Sequence, residues 1–368
     1  MAGGDPLTAA EALRAKGFAP ALATVALTQA VLRRKAQAKF GADAAEMLFT
    51  RAGLEQATRG VVAHRRAARL AASGATSVAD LGCGIGADTI AFARAGLRVH
   101  AVDASPVAAA VAAHNVQILG LGNVTVSTMD ATAVDLSGFD AVFCDPARRS
   151  ATGRRLFNPA DYSPPWDFVA GLPHRVLRTV LKLAPGIDHA LLPAGAEGEW
   201  VSVDGEVVEA AAWCGPLAAG QRRASVLRDG WHTLTGSGSA EAPVGKIRRY
   251  LYDPDGAVVR SHLVAVFAAA VDGSLGDPTI AYVYADDPTP TPFARRYEVV
   301  DRLPIAVKRL RAALRALDIG SLTILKRGSA LDVERLRHDL RLAGRNAAGL
   351  ALTRVAGEPA ALLLSQTS

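Results

Sequence analysis

Between residues 78 and 149, four apolar runs each end in a carboxylate. Val78-Ala79-Asp80-Leu81 passes straight into Gly82-Cys83-Gly84-Ile85-Gly86, and Arg98 to Val102 ends in Asp103-Ala104. Val124 to Thr128 is followed by Asp130-Ala131, and Phe139 to Cys144 by Asp145-Pro146-Ala147-Arg148. The glycines allow tight turns and let a ligand approach the backbone with no Cβ in the way. Asp103 lies 21 residues after Gly82, close to the spacing at which an acid meets a ribose diol in a dinucleotide fold. An acid followed by proline, as at Asp145-Pro146, offers a carboxylate and a carbonyl as acceptors.

Short buried strands must position these groups. Ala87 to Ala95 has the apolar spacing of a helix that Gly96 stops. Ser105 and Pro106 open the next helix as N-cap and first helical residue. Open α/β sheets bind ligands outside the carboxyl ends of their strands, so the four ends converge on one crevice. The convergence implies an enzyme.

Two cofactors compete for the glycine loop. Gly82 to Ala87 fits the nicotinamide pattern G-x-G-x-x-A. Asp80, two residues before the first glycine, would repel a pyrophosphate and suits a cofactor with a cationic amino-acid end. The run resembles motif I of the class I S-adenosylmethionine-dependent methyltransferases. That resemblance implies S-adenosyl-L-methionine as cofactor, held by Asp80, Gly82, Cys83, Gly84, Gly86, Asp103, Ala104, Asp130 and Ala131. It assigns Asp103 to the ribose hydroxyls, Asp130-Ala131 to the adenine, and Asp145, Pro146 and Arg148 to the acceptor side. The fourth motif departs from the family's usual Asp/Asn-Pro-Pro followed by an aromatic residue or arginine, with Ala147 for the second proline and no aromatic residue. Arg148 can offer a flat guanidinium to a base or paired donors to a phosphate. Related Asp-Pro-Pro-Arg motifs occur in uracil C5 methyltransferases, whose chemistry needs a cysteine nucleophile; Cys214 is the distant candidate, with a buried inert thiol as the plainer reading. A nicotinamide-dependent oxidoreductase is the other reading of the loop.

Cys83 and Cys144 read as small space-fillers, Asp140 as a surface residue, and Arg149, Arg154 and Arg155 as solvated charges or substrate contacts. Three cysteines give no disulfide framework or zinc spacing, and the eight histidines show no paired ligand motif. No metal is expected. No run of eighteen or more apolar residues and no charged-then-apolar leader appears, so a cytoplasmic protein with no membrane span is expected. The charge is unevenly placed. Residues 1–72 hold eleven Lys/Arg against five Asp/Glu, residues 295–368 fourteen against seven, and the stretch between them is net acidic. Basic modules flanking an acidic core are the electrostatic footprint of a nucleic-acid partner.

Helices are expected over Thr24–Lys39 and after an N-cap at Thr50, with Ser73-Gly74 as the break before the first strand. They could cover the cofactor or support the substrate. Leu172 to Leu183 reads as a helix, His189 to Leu192 as a fifth strand, Glu199 to Glu209 as a hairpin turning at Asp204-Gly205, and Ala257 to Ala270 as a helix. The last segment reads strand, helix (Ile305–Leu317), strand, helix (Leu331–Leu342), strand, strand. With Lys326-Arg327-Gly328 it resembles the THUMP-like domain of certain bacterial methyltransferases, which implies structured RNA as substrate. The expected fold is α/β. It has a Rossmann-like class I methyltransferase sheet, mostly parallel with an antiparallel edge, an N-terminal helical region, and a small C-terminal α+β THUMP-like domain. The expected divisions are 1–72, 73–240, a connecting region 241–294, and 295–368. The expected activity is methylation of a base nitrogen in tRNA or rRNA. A small-molecule or protein methyltransferase and a non-catalytic RNA-binding protein are the rivals. Oligomeric state is not legible.

Overall fold

The computed structural model describes residues 12–148 and 162–366. The chain forms two compact units, residues 1–196 with 211–219, and residues 197–210 with 220–368. This cut differs from the four-part division read from sequence. Arg149, Arg154 and Arg155 lie outside the described residues.

The first unit opens with helices α1 (Pro20–Phe40), α2 (Arg51–Gln56) and α3 (Gly60–Ala72). Thr50 caps α2, its side chain accepting from the Gly53 amide at 3.0 Å. Next come β1 (Ser77–Leu81), α4 (Ala87–Arg94), β2 (Arg98–Asp103), α5 (Pro106–Ile118), β3 (Val124–Thr128) and β4 (Ala141–Cys144). A short ladder of β5 (Ala147–Arg148) and β6 (Tyr162–Ser163), then α6 (Trp166–Arg175) and β7 (Arg178–Leu183), follow. The strands lie in the order β7-β4-β1-β2-β3, and every adjacent pair in that order is parallel. Strand order reverses between β1 and β4, which makes their carboxyl ends the switch point where such sheets take ligands. β1 and β4 are buried throughout, as parallel strands covered on both faces must be. Val78, Phe92, Val99, Phe143, Val180 and Trp213 fill the core between sheet and helices.

Two expectations fail here. Leu172–Leu183 is not one helix: it holds the end of α6 and all of β7. Val176, Thr179 and Val180 are β-branched and favour strand, and Thr179, Val180, Leu181 and Leu183 are all buried. A strand buried on both faces loses its alternation and imitates a buried helix. The strand expected over His189–Leu192 is instead a single 3-10 turn, His189–Leu191, whose Ala190 amide donates to the Asp188 side chain.

In the second unit, β8 (Glu197–Val203) turns into β9 (Glu206–Trp213) through Asp204-Gly205, both at positive φ (54° and 86°). That pair of angles is what a two-residue hairpin requires. β10 (Arg222–Leu227) runs parallel to β8 and antiparallel to β11 (Trp231–Gly236). A seven-stranded sheet follows in the order β13-β14-β12-β15-β18-β17-β16. Its strands are β12 (Tyr250–Pro254), β13 (Ser274–Leu275), β14 (Val283–Ala285), β15 (Ala294–Leu303), β16 (Ile319–Lys326), β17 (Asn346–Val355) and β18 (Glu358–Gln366). The region read as a connector therefore supplies three strands. The helix expected over 257–270 is two, α7 (Gly256–Arg260) and α8 (Val264–Ala270), broken where His262 takes φ 59°.

Period-2 alternation explains how this sheet is covered. Leu350, Leu352, Ala361 and Leu363 face one core with helices α9 (Val307–Ala316) and α10 (Val333–Leu340), through Leu310, Leu314, Leu336 and Leu340. Ala351, Leu362 and Leu364, one residue out of step, face another core with Tyr282, Tyr284 and Tyr297. No helix among the described residues is long and apolar enough to cross a membrane.

Candidate active site

The glycine loop is wired to both neighbouring strands. Gly82, Gly84 and Gly86 all take positive φ (88°, 56° and 91°). The amides of Gly82 and Cys83 donate to the Val102 carbonyl at 2.9 and 3.0 Å, and that of Gly86 to the Cys83 carbonyl. The Cys83 amide, expected to touch a ligand, is thus committed to β2. Gly84 donates to Asp103 Oδ2 at 2.9 Å, and Ser105 to Asp103 Oδ1 at 2.8 Å. Asp103 therefore holds the loop against the start of α5 while remaining half-exposed. A Cβ on Gly82 would stand 2.8 Å from the Asp145 carbonyl oxygen, so only glycine admits that strand end so close.

Asp80 lies under the loop, not along it. Its side chain is fully buried; Oδ2 accepts from Thr89, and Oδ1 has no partner among the described residues. Burial pushes its carboxyl up to about 8, against the opposing pull of the Thr89 hydrogen bond. Asp130 Oδ1 accepts from the amide and hydroxyl of Thr132, shaping the turn that buries Ala131; Ala104 is exposed. Asp140, read as a surface residue, anchors the start of β1 through Thr76 and Ser77, and those bonds hold its carboxyl down to about 2.

The N-terminal helices seat themselves on the loop. Leu32, Ala36, Met47, Phe49 and Leu54 share a core with Ile85 and Ile90. Asn115 clamps both sides, accepting from the Leu48 amide at 2.7 Å and donating to the Ile85 carbonyl at 3.0 Å. The buried Arg66 pairs with Asp88 on α4, which also accepts from Thr58 at 2.6 Å. Lys39 donates to the carbonyls of Leu54, Glu55 and Ala57, closing the carboxyl end of α2. Burial, then the nearby charges of Lys182 and Arg59, pull the Lys39 ammonium below its ordinary range.

At the fourth strand end, Asp145 Oδ2 accepts from Lys182 Nζ at 2.6 Å. Pro146 is buried beside it, and the Arg148 backbone pairs with Tyr162. Sequence reading missed Lys182 because β7 was taken as helix. The available signal was a lone cation inside Val180-Leu181-Lys182-Leu183. Cys83, Cys144 and Cys214 are all buried free thiols. Burial pushes the Cys214 thiol up to about 12, far from the thiolate a covalent C5 route needs.

Comparison with known proteins decides the family. Residues 78–152 match the family described as methyltransferase domain, and residues 294–366 the one described as THUMP domain-like. The chain is 37% identical over 336 residues to an uncharacterized S-adenosylmethionine-dependent methyltransferase of Mycobacterium tuberculosis (strain CDC 1551 / Oshkosh), covering 88% of this chain and 91% of that protein. This chain belongs to the S-adenosylmethionine-dependent methyltransferases. The same values hold for the counterpart in strain ATCC 25618 / H37Rv. A crystal structure from Porphyromonas gingivalis W83, assigned to the methyltransferases, shares the fold at TM-score 0.78 and 20% identity, covering 95% of this chain and 92% of that one.

The methyltransferase site fits its cofactor by its own features. The turn at Gly84 leaves the space around a would-be Cβ open. Asp80 Oδ1, buried under the loop, leaves a polar position there without a partner among the described residues. The nicotinamide reading of the loop is set aside.

Proposed function

We propose that this methyltransferase modifies a base nitrogen in structured RNA, tRNA or rRNA. One observation carries the reading: the helical layer of the THUMP-like segment exposes Lys308, Arg309, Arg315, Arg335, Arg337 and Arg341 on α9, α10 and their flanks. Exposed cations in that number suit a polyphosphate backbone. When bound, S-adenosylmethionine supplies an activated methyl group. Asp103 would hold the ribose hydroxyls, the Gly82–Gly86 loop the amino-acid end, and Asp130-Ala131 the adenine. Asp145 and the Pro146 carbonyl would receive the acceptor amine, with Arg148 offered to the base. The protonated, buried Cys214 argues against a carbon acceptor attacked through a covalent intermediate. The protein's task is then to hold donor and acceptor in attack geometry. Purified enzyme with S-adenosylmethionine carrying a tritiated methyl, and RNA from a strain lacking the gene, tests this. Label in one nucleoside, absent with RNA from the parent strain, is expected. Label only in protein or small molecules would overturn it.

A further inference from the structure

Lys182 has no role in the assignments above, yet it is the charged partner of Asp145. The β4–β7 register sets Cys144 opposite Leu181, so Asp145, the first residue past β4, lies beside Lys182 of β7. The pair is 2.6 Å apart, with the lysine 14% and the aspartate 33% exposed. The Asp145 main chain is fixed as well. Its amide donates to the Leu81 carbonyl at 3.1 Å, and its own carbonyl presses on Gly82. Oδ1 has no hydrogen-bond partner among the described residues.

We propose that Lys182 is the positioning residue of the methyl-acceptor subsite, holding Asp145 as half of a charge-neutral dyad that receives an uncharged amine nitrogen. This rests on the methyl-transfer reading of the site. As the methyl transfers, the positive charge of the sulfonium passes to the acceptor nitrogen, whose N–H becomes a stronger donor. The Asp145 bond to that nitrogen strengthens as charge develops there, provided the free carboxylate oxygen is held facing it. Lys182 fixes Oδ2 and balances the carboxylate's pull on the resting sulfonium, leaving Oδ1 to accept an N–H from the incoming nitrogen. As the N–C bond forms, the C–S bond breaks and sulfur keeps the electron pair; the nitrogen then loses its proton to water by way of Oδ1. An asparagine would be a neutral acceptor unaided, whereas this chain reaches neutrality with two residues.

The test needs two readouts on the full-length protein. The first is the binding of S-adenosylmethionine and of uncharged S-adenosylhomocysteine by titration calorimetry. Lys182→Met should raise the preference for the sulfonium form roughly three- to tenfold, because it bares the carboxylate. The double variant Asp145→Asn/Lys182→Met should restore the wild-type preference. The second is turnover on RNA, where Lys182→Met should lose about 10²-fold in kcat and Lys182→Arg should recover most of it. An unchanged preference in Lys182→Met, or unchanged kcat, overturns the dyad. If the wild type labels no RNA, the RNA reading falls, while the binding preference still decides the role of Lys182.

Discussion

At the residue scale, Asp103 fastens the glycine loop while staying partly exposed, and the proposed site gives it the ribose hydroxyls as well. Asp103→Ala should weaken S-adenosylmethionine binding by roughly 1.5–3 kcal/mol, the range for a lost hydrogen bond to a charged group. Calorimetry on a variant that still shows the wild-type circular dichroism would check this, and unchanged affinity would remove Asp103 from the site. Asp80 gives a pH-dependent prediction. Its carboxyl releases a proton near 3.8 when unfolded but holds it to about 8 when folded. Between those values the folded state binds more protons, so this residue's contribution to stability falls as pH rises. Asp80→Asn keeps an acceptor for Thr89 without that liability. The Tm of the ligand-free variant should therefore gain on the wild type from pH 5 to pH 8 and level off above. A pH-independent difference would mean that Asp80 is already ionised in the fold. The carboxylates were legible because each ends an apolar run. Lys182 was not, since its meaning depends on which strand lies beside it.

At the scale of elements, local signals predicted local structure well. Thr50, Ser105-Pro106 and Asp204-Gly205 each begin or turn an element where their chemistry demands. What failed was burial-dependent. β7 looks helical until its burial between layers is known, and β12 to β14 look like punctuation until their partners in the sheet are known. The choice between a lid and a platform for the N-terminal helices also needed tertiary contacts. Their shared core with Ile85 and Ile90 makes them part of the loop's support. Lys39→Met should expose this dependence by freeing three carbonyls at the end of α2. A loss of about 1–3 kcal/mol in stability is expected, with faster amide exchange over residues 50–58 than elsewhere. Uniform acceleration across the first unit would instead mark Lys39 as a general stabiliser.

Across the whole molecule, the basic flanks and acidic centre suggested an RNA partner, and the structure changes which cations should meet it. Lys326 and Arg327 belonged to the motif that carried the THUMP-like resemblance. Yet Lys326 donates to the Leu331 carbonyl, while Arg327 pairs with Asp253, donates to the Pro254 carbonyl and lies over the Tyr282 ring. The Arg327 contacts tie the end of β16 to β12 and the Lys326 contact holds the turn to Leu331, so reversing both charges would disturb the fold and confuse any binding measurement. Removing residues 295–368 would be no cleaner, since it strips β12 of its β15 neighbour. Lys308 and Arg309 are better probes, because both are exposed on α9 and the apolar side of that helix is held by Leu310 and Leu314. Every phosphate that goes unneutralised should flatten the log–log salt dependence of RNA affinity by about 0.7 on single strands. The Lys308→Glu/Arg309→Glu variant should thus bind RNA more weakly at low salt, converge on the wild type at high salt, and bind S-adenosylmethionine unchanged. Filter binding across a salt series reads the RNA arm, and calorimetry the cofactor arm. Parallel salt curves for the two proteins would take α9 out of the RNA interface and leave the acceptor to be sought among small molecules and proteins.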